Sequence, residues 1–483
     1  MDDNFVVPEH NPAYSDDVCR SLFKMKADVL KLKGDIKRFR EVTVVSHLDA
    51  DGITSAGIMN KTFERLGIPV KTHIVRQLDR QRIKEILDMS TENIVFTDLG
   101  SGQIGNMKEI LDCRTTVIID HHVPCRDVHR NLLLHLNAHI YGVDGSRDVS
   151  GAGLAYFFSR FMTGNSQDLS SLAIVGAVGD MQTRDGLRGI NKVIFDEGAG
   201  KYVECVRDLS YFGKQTRPVY KMLSFASDPY LAGITGSVDR AMAFVESMIG
   251  SGDGEDDRMR CWVDLAIEEK QEITTGLISH LMSLGYNARA VNRLITDTYI
   301  LLGEEERTET RDAMEFSTLL NACGRHNQWQ TGLQVVLGDR DAALNDARCF
   351  LQEHRNLLAK GLQVLKDNGV CEMENIQVFR TDEIKSTIVG VVIGMAIGAR
   401  IVDQRIPIVA VSRDNDPGYC KISARGTMGL VYKGLRLNKA MELSRKVGGE
   451  GGGHDVAAGA KVRKVCLDEF LGIVDEEVGK QMK

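Results

Sequence analysis

Acids and imidazoles gather at four places in the first 180 residues, each where an apolar run ends. His47-Leu48-Asp49-Ala50-Asp51-Gly52 follows the β-branched run Val42 to Ser46. Alternate residues of an extended segment share a side, so His47, Asp49 and Asp51 can point together, with the turn at Gly52 able to re-aim the last. One imidazole and two carboxylates suit divalent cations such as Mn²⁺ or Mg²⁺. Taken alone, the segment serves equally well as a helix N-cap and solvated turn, because Asp51 precedes a helix. Thr97-Asp98-Leu99-Gly100 puts another acid at a strand end, by itself an ordinary cap or turn. Asp120-His121-His122 is harder to explain by packing, since buried imidazoles need partners for their ring nitrogens. Asp180 closes the apolar run LAIVGAVGD with a charge that opposes the helix macrodipole and calls for a cation nearby. So many oxygen and nitrogen donors exceed one open site. They suit two cations about 3.5–4 Å apart that share a carboxylate, as in phosphoryl-transfer centres. No cysteine joins them, which disfavours structural zinc.

The elements that must position these groups alternate in type. After a helical lead-in, Ser15 to Arg40, strands are expected at Val42–Ser46, Thr72–Val75, Asn93–Thr97 and Thr115–Ile119, with a helix at Ile53–Leu66. Continuous apolar strands alternating with helices predict a mostly parallel sheet covered on both faces, with ligands beyond the carboxyl ends of the strands. Helices at Ser150–Met162 and Leu169–Asp180 complete a domain over residues 1–189. From Ile190 to Asp339 the periodicity is helical with no clear strand series, and Gly250–Asp257 reads as a solvated acidic loop; residues 190–370 are expected to form a mostly helical insert or connector. A smaller α/β domain is expected over 371–483. Its elements are strand Gln377–Phe379, helix Ile388–Val402, strands Pro407–Val411 and Cys420–Ser423, helix Asn438–Val447, a glycine run and a final helix from Leu467.

The glycine run, Gly451, Gly452 and Gly453, allows close approach of backbone N–H groups to phosphate oxygens, and His454 and Arg425 add charged donors. A flexible linker would not need the apolar Ala457-Ala458-Gly459 after it, or the Ser423-Ala424-Arg425 segment upstream. The run ends in His, not in the Lys-Ser or Lys-Thr of a nucleoside-triphosphate loop. Length and composition fit this picture: 483 residues, 43% hydrophobic and 26% charged, leave room for roughly three domains with buried cores. A net charge of −7 requires any nucleic-acid partner to be held by a local basic groove. Met1 to Tyr14 is the wrong start for a secretory signal, and the apolar stretch Ile388–Ala399 falls short of the roughly 20 residues a membrane helix needs. Ten scattered cysteines without a C-x-x-C pair point to free thiols in a cytoplasmic protein with no membrane partner.

HLDADG, TDLG, DHH and GD, in this order on an α/β domain, resemble the four motifs of the DHH phosphoesterase superfamily. Lys421-Ile422-Ser423-Ala424-Arg425, followed by Gly451-Gly452-Gly453-His454 and Ala457-Ala458-Gly459, resembles the DHH-associated substrate-binding subdomain of RecJ-like nucleases. LLNACGR and VVLGD, between Leu319 and Asp339, are similar to archaeal RecJ-like proteins, including the GINS-associated nucleases. The resemblance implies that His47, Asp49 and Asp98 hold one cation. It implies that Asp51, Asp98, His121 and Asp180 hold the other, with Asp98 as the bridge. Mn²⁺ is the first choice for both and Mg²⁺ the alternative. His122 is similar to the family's histidine that faces the substrate phosphate, with Asp120 orienting both histidines. A water between two metals would then attack a phosphodiester in line, without any side-chain nucleophile. The expected activity is an exonuclease on single-stranded DNA or RNA, its strand end held between the two α/β domains. Two alternatives stand beside it: a phosphoesterase for nanoRNA, cyclic dinucleotides or 3′-phosphoadenosine 5′-phosphate, and a GINS-binding replication scaffold. Trp262, Trp329 and Phe157-Phe158 are expected in cores, and His129, His135 and His139 as solvated or core histidines. Arg184 and Arg188 could line a strand path but carry no assignment.

Overall fold

A computed structural model describes residues 14–125, 131–226, 228–250, 258–414 and 416–482; His129 and most of the acidic loop lie outside these. The chain divides into two compact units: residues up to Ser224 with Gly236–Leu351, and Phe225–Thr235 with Gln352–Lys483.

In the first unit α1 (Asp16–Ile36) leads into β1 (Val42–His47), α2 (Ala50–Arg65), β2 (Val70–Val75), α3 (Arg80–Met89) and β3 (Asn93–Thr97). α4 (Lys108–Cys113), β4 (Thr115–Asp120), β5 (Leu132–Asn137), α5 (Gly151–Thr163), α6 (Ser170–Gly179) and α7 (Gly189–Gly198) follow. The five strands are all parallel, in the order β2-β1-β3-β4-β5. Their apolar runs are continuous because successive residues feed opposite cores. Val44, Val95 and Val117 pack into one, against α5 and α6, while Val45, Phe96 and Ile118 pack into the other, against Ile83, Ile86 and Ile110. The strand order reverses between β1 and β3, and α/β sheets bind ligands beyond the strand ends at such a switch point.

The mostly helical stretch, in which no clear strand series was legible, contains two strands. β6 (Val203–Leu209) and β7 (Ile295–Leu301) pair antiparallel, Val203 opposite Leu301. The intervening polar residues mark strands with one wet face, a weaker signal than a continuous apolar run. Helices Ala313–Arg325 and Trp329–Leu337 then pack onto the main core through Phe316, Leu319, Leu320 and Val335.

The second unit is a six-stranded sheet in the order β12-β13-β11-β10-β9-β8. Its strands are β8 (Cys371–Glu372), β9 (Gln377–Arg380), β10 (Ile408–Arg413), β11 (Tyr419–Arg425), β12 (Glu450–Gly453) and β13 (Ala457–Arg463). One face packs Ile422, Ala424, Ala460 and Val462 against the final helix, Leu467–Gln481; on the other, Phe379, Ile408 and Ala410 pack against helix Val389–Gly398. The glycine run is therefore edge strand β12, not a loop, and Gly451 is required by its own fold: a Cβ there would lie 2.2 Å from the Met441 carbonyl oxygen. Among the described residues no helix is long and apolar enough to cross a membrane.

Candidate metal centre

β1 ends at His47, and α2 starts three residues later. The capping acid is Asp49, not Asp51: its Oδ1 accepts from the Gly52 N–H at 3.0 Å, and its Oδ2 lies 2.8 Å from His47 Nδ1. Asp51 falls inside the first helical turn, 2% exposed, and is swung across to the start of α5. There its carboxylate accepts from the Gly151 N–H at 2.7 Å and the Ala152 N–H at 2.9 Å, an anion on a helix N-terminus.

Asp98 follows β3 with φ +58, a left-handed conformation that costs energy for a residue with a side chain. Its buried carboxyl has Oδ2 3.7 Å from His47 Nδ1 and Oδ1 3.1 Å from His121 Nε2. Oδ1 is fully buried, and no backbone N–H is paired with it. Gly151 makes room for this carboxyl: a Cβ at that position would sit 2.7 Å from Asp98 Cβ and 2.9 Å from Oδ1.

His121 is buried, and its Nδ1 lies 2.5 Å from the Gly145 carbonyl oxygen, a bond that turns Nε2 toward Asp98 and Asp51. Asp180 is the C-cap of α6; its Oδ2 lies 3.8 Å from the His121 ring and accepts from Gln182 Nε2 at 2.7 Å. Gln182 also donates to the Gly145 and Val149 carbonyls and accepts from Asn191 Nδ2 at 2.6 Å. His122, half-exposed, commits Nδ1 to Asp120 Oδ1 at 2.8 Å, while Asp120 Oδ2 accepts from the Ser101 N–H at 2.9 Å.

These side chains form three groups whose ligand atoms lie within 4.8 Å of one another: His47, Asp49 and Asp98; Asp51, His121 and Asp180; Asp98, His121 and His122. Asp98 and His121 each belong to two. Without a cation, protons carry the excess charge. Burial, then Asp51 and Asp49, push Asp98 well above the usual carboxylate range against the opposing pull of His121. Burial likewise lifts Asp180 to about 6, with His121 opposing and Asp51 and Asp49 adding to the rise. Burial pulls His47 down, but Asp49, Asp98 and Asp51 prevail and raise it to about 9. The donor set is oxygen and nitrogen throughout and holds an orphaned buried carboxylate oxygen, so it fits hard-to-borderline divalent cations.

The remaining expected site residues lie in the second unit. Ser423 and Arg425 stand on β11 close to the start of helix Val389–Gly398, where a Cβ at Gly390 would be 2.8 Å from Arg425 Nη2 and 3.4 Å from Ser423 Cβ. His454 is exposed in the turn that joins β12 and β13.

Sequence reading alone missed several residues that shape the centre. Gln182, Ser101 and Asn191 gave no signal, being single polar residues that only the fold brings to the candidate ligands. Asn321, on helix Ala313–Arg325, accepts from the Ala50 N–H at 3.0 Å and so fixes the backbone between Asp49 and Asp51. Arg325 closes the same helix, its guanidinium lowered chiefly by burial and opposed by Asp49. Both belong to LLNACGR, whose pattern was available. The other candidates are structural: His135 Nε2 lies 2.8 Å from Ser101 Oγ, Trp262 is buried with Nε1 donating to Asp208, and Phe157 and Phe158 are core. Trp329 packs at the edge of the same core, and His139 is half-buried.

Comparison with known proteins covers most of the chain. Residues 41–177 match the DHH family N-terminal domain, residues 211–295 the DHH-CID domain and residues 376–480 the DHHA1 domain. An uncharacterized protein of Methanocaldococcus jannaschii is 31% identical over 456 residues, 93% of this chain and 95% of that protein. The single-stranded-DNA-specific exonuclease RecJ of Thermus thermophilus is 25% identical over 182 residues, 35% of this chain and 26% of that protein. Its Mn²⁺ complex superposes with a TM-score of 0.59 at 16% identity, covering 97% of this chain and 59% of that one. RecJ from the same source has also been solved with Mg²⁺. CDC45 of Entamoeba histolytica superposes with a TM-score of 0.61 at 12% identity, covering 95% of this chain and 99% of that one.

Proposed function

The chain belongs to the DHH family, and from that premise we propose that it is a metal-dependent, RecJ-like exonuclease that degrades single-stranded DNA or RNA from an end, in the cytoplasm. The observation that carries the reading is the sharing of Asp98 and His121 among three ligand groups at the switch point of a parallel sheet. His47, Asp49 and Asp98 would hold one cation and Asp51, Asp98, His121 and Asp180 the other, Mn²⁺ first and Mg²⁺ as the alternative. Such a pair, when bound, polarises phosphoryl oxygens and acidifies the attacking water.

The chain's own residues account for the rest. Asp51 is anchored on α5 and Asp180 by Gln182, so neither carboxylate reorganises when charge builds up. The Gly145 carbonyl fixes the tautomer of His121. Burial and His121 lower His122, but Asp120 and Asp98 outweigh them and favour the protonated ring, the form that would donate to a phosphate oxygen on which charge develops. Ser423, Arg425, His454 and the glycine strand would take substrate phosphates in the second unit.

End-labelled single strands incubated with Mn²⁺ or Mg²⁺ should shorten progressively, and Asp98→Ala or His121→Ala should abolish this. Retained activity in either variant would overturn the assignment. Dinucleotides turned over in preference to longer strands would move the reading to a nanoRNA or cyclic-dinucleotide phosphoesterase. The likeness to CDC45 supports a second role alongside catalysis, GINS binding through the segment between Ile190 and Asp339. Co-purification with GINS tests it.

A further inference from the structure

Helix Ala313–Arg325 begins in a buried ionic cluster that stands apart from the candidate ligands. Lys214, Asp312 and Glu315 are each no more than 2% exposed. Asp312 caps the helix, accepting from the Met314 N–H at 2.8 Å, and its Oδ2 lies 3.5 Å from Lys214 Nζ. Glu315, in the first turn, accepts from the Gln215 N–H at 2.7 Å and from the Thr216 hydroxyl. Lys214, Gln215 and Thr216 belong to the segment between β6 and β7, which holds them in turn. Lys214 Nζ donates to the Leu209 and Tyr211 carbonyls, and the Lys214 carbonyl accepts from the Val263 N–H at 3.2 Å. Two carboxylates buried against one ammonium are unfavourable, and apolar side chains of similar size would seat a helix at least as firmly. What the polar network adds is one defined geometry.

That geometry matters at the far end of the helix. Ser317, Asn321 and Gly324 are spaced to share one face. Asn321 accepts from the Ala50 N–H, between Asp49 and Asp51. Gly324 is pressed onto the same loop, where a Cβ would collide with the Leu48 carbonyl oxygen. A Cβ at Gly179 would lie 2.7 Å from Ala50 Cβ and 3.4 Å from Ser317 Cβ. The helix thus abuts the chain neighbours of His47, Asp49, Asp51 and Asp180 with no slack. Gly324 stands about 14 Å along the axis from Glu315, at 1.5 Å per residue. A tilt of about 4° about the first turn moves it by about 1 Å, whereas a working site is held to within about 0.5 Å.

We propose that the segment between β6 and β7 is a positioning element of the metal centre: Glu315, clamped by Lys214, Gln215 and Thr216, fixes the tilt of helix Ala313–Arg325, and through it the Leu48–Asp51 loop and the end of α6. The proposal deepens the metal-dependent reading and rests on it. Glu315 is a positioning residue, acting through the helix and not on substrate.

The test is Mn²⁺ titration of the full-length protein by calorimetry and electron paramagnetic resonance, with urea unfolding in EDTA alongside. Glu315→Ala supplies a good helix former and removes both bonds to the segment. It should raise the Mn²⁺ Kd about 10-fold, weaken the spin-coupled signal, and lower kcat on single strands with KM little changed. Glu315→Gln keeps an acceptor for the Gln215 N–H and should restore most of the affinity. Thr216→Val removes one bond from the segment's side with little change in size, and should raise the Kd about 3-fold; it decides the matter where the alanine variant does not fold. A folded variant that unfolds at lower urea yet keeps the wild-type Kd and coupling would show that the cluster only stabilises the fold, and would overturn the clamp alone. A wild-type protein that binds no Mn²⁺ would overturn the clamp and the metal-dependent reading together.

Discussion

Replacing Asp180 by Asn separates what this carboxylate costs the metal-free fold from what it gives a cation site. Burial is the largest cause of its raised pKa, about 6 against an ordinary 3.8. The folded protein therefore binds this proton more tightly than the unfolded chain, and stability falls as pH rises from about 4 to 6, the full cost remaining above that. The rise corresponds to about 3 kcal/mol at 1.36 kcal/mol per pKa unit. With 25% of the side chain exposed, solvent screening trims it toward about 2 kcal/mol. Asn keeps an oxygen for the Gln182 amide, 2.7 Å away, and carries no charge. Urea unfolding of the metal-free full chain at pH 7.5 should show Asp180→Asn more stable than wild type by about 2–3 kcal/mol, with the gain gone below pH 4. Added Mn²⁺ should reverse the order: wild type gains about 4.1 kcal/mol at a thousandfold excess over its Kd, the variant little, and nuclease turnover in the variant falls more than about 100-fold. A variant no more stable than wild type in EDTA, or one that gains the full Mn²⁺ stabilisation, would refute the reasoning.

Three further outcomes follow from the same geometry. Mn²⁺ binding at pH 7 should release protons, because His47 sits at about 9 and His121 is held well above its ordinary value by Asp98, Asp180 and Asp51, which outweigh its burial. Titration calorimetry in two buffers of different ionisation enthalpy should give different heats, and affinity should rise with pH between about 6 and 9; identical heats would contradict this. Asp120→Asn should lower turnover 10–100-fold and shift the His122 titration downward, since the Asp120 carboxylate holds it up, as ring NMR signals would report. Gly151→Ala should lower stability, because its methyl would lie 2.7 Å from Asp98 Cβ and force a shift, and should weaken Mn²⁺ binding at least about 10-fold; an unchanged Kd would show that Asp98 is not pinned.

The candidate ligands were legible in the sequence because each stands where a buried strand or helix ends, and the apolar runs of β1, β3, β4 and α6 reveal those ends by themselves. Their exact part was less legible. Asp49, not Asp51, caps α2, since the helix begins at Ala50 and turns Asp51 onto α5, a partner 100 residues away. Gln182 and Asn321 escaped because a lone amide carries no local signal until the fold sets it beside Asp180 or Ala50. β12 was unreadable for the opposite reason: three glycines argue against a strand, and only the cramped approach to Met441 and the pairing with β13 impose one. β6 and β7 hid behind a polar face, as half-exposed strands do.

The central claim is that the acids and imidazoles at the end of the parallel sheet hold two cations at once through Asp98. Electron paramagnetic resonance of the Mn²⁺-titrated full-length protein tests it most directly. Two manganese ions per chain with a spin-coupled signal, reduced to a single uncoupled ion or none by Asp98→Ala, is the predicted result. A wild-type protein that never binds more than one isolated ion, or a coupled signal that survives Asp98→Ala, would contradict it.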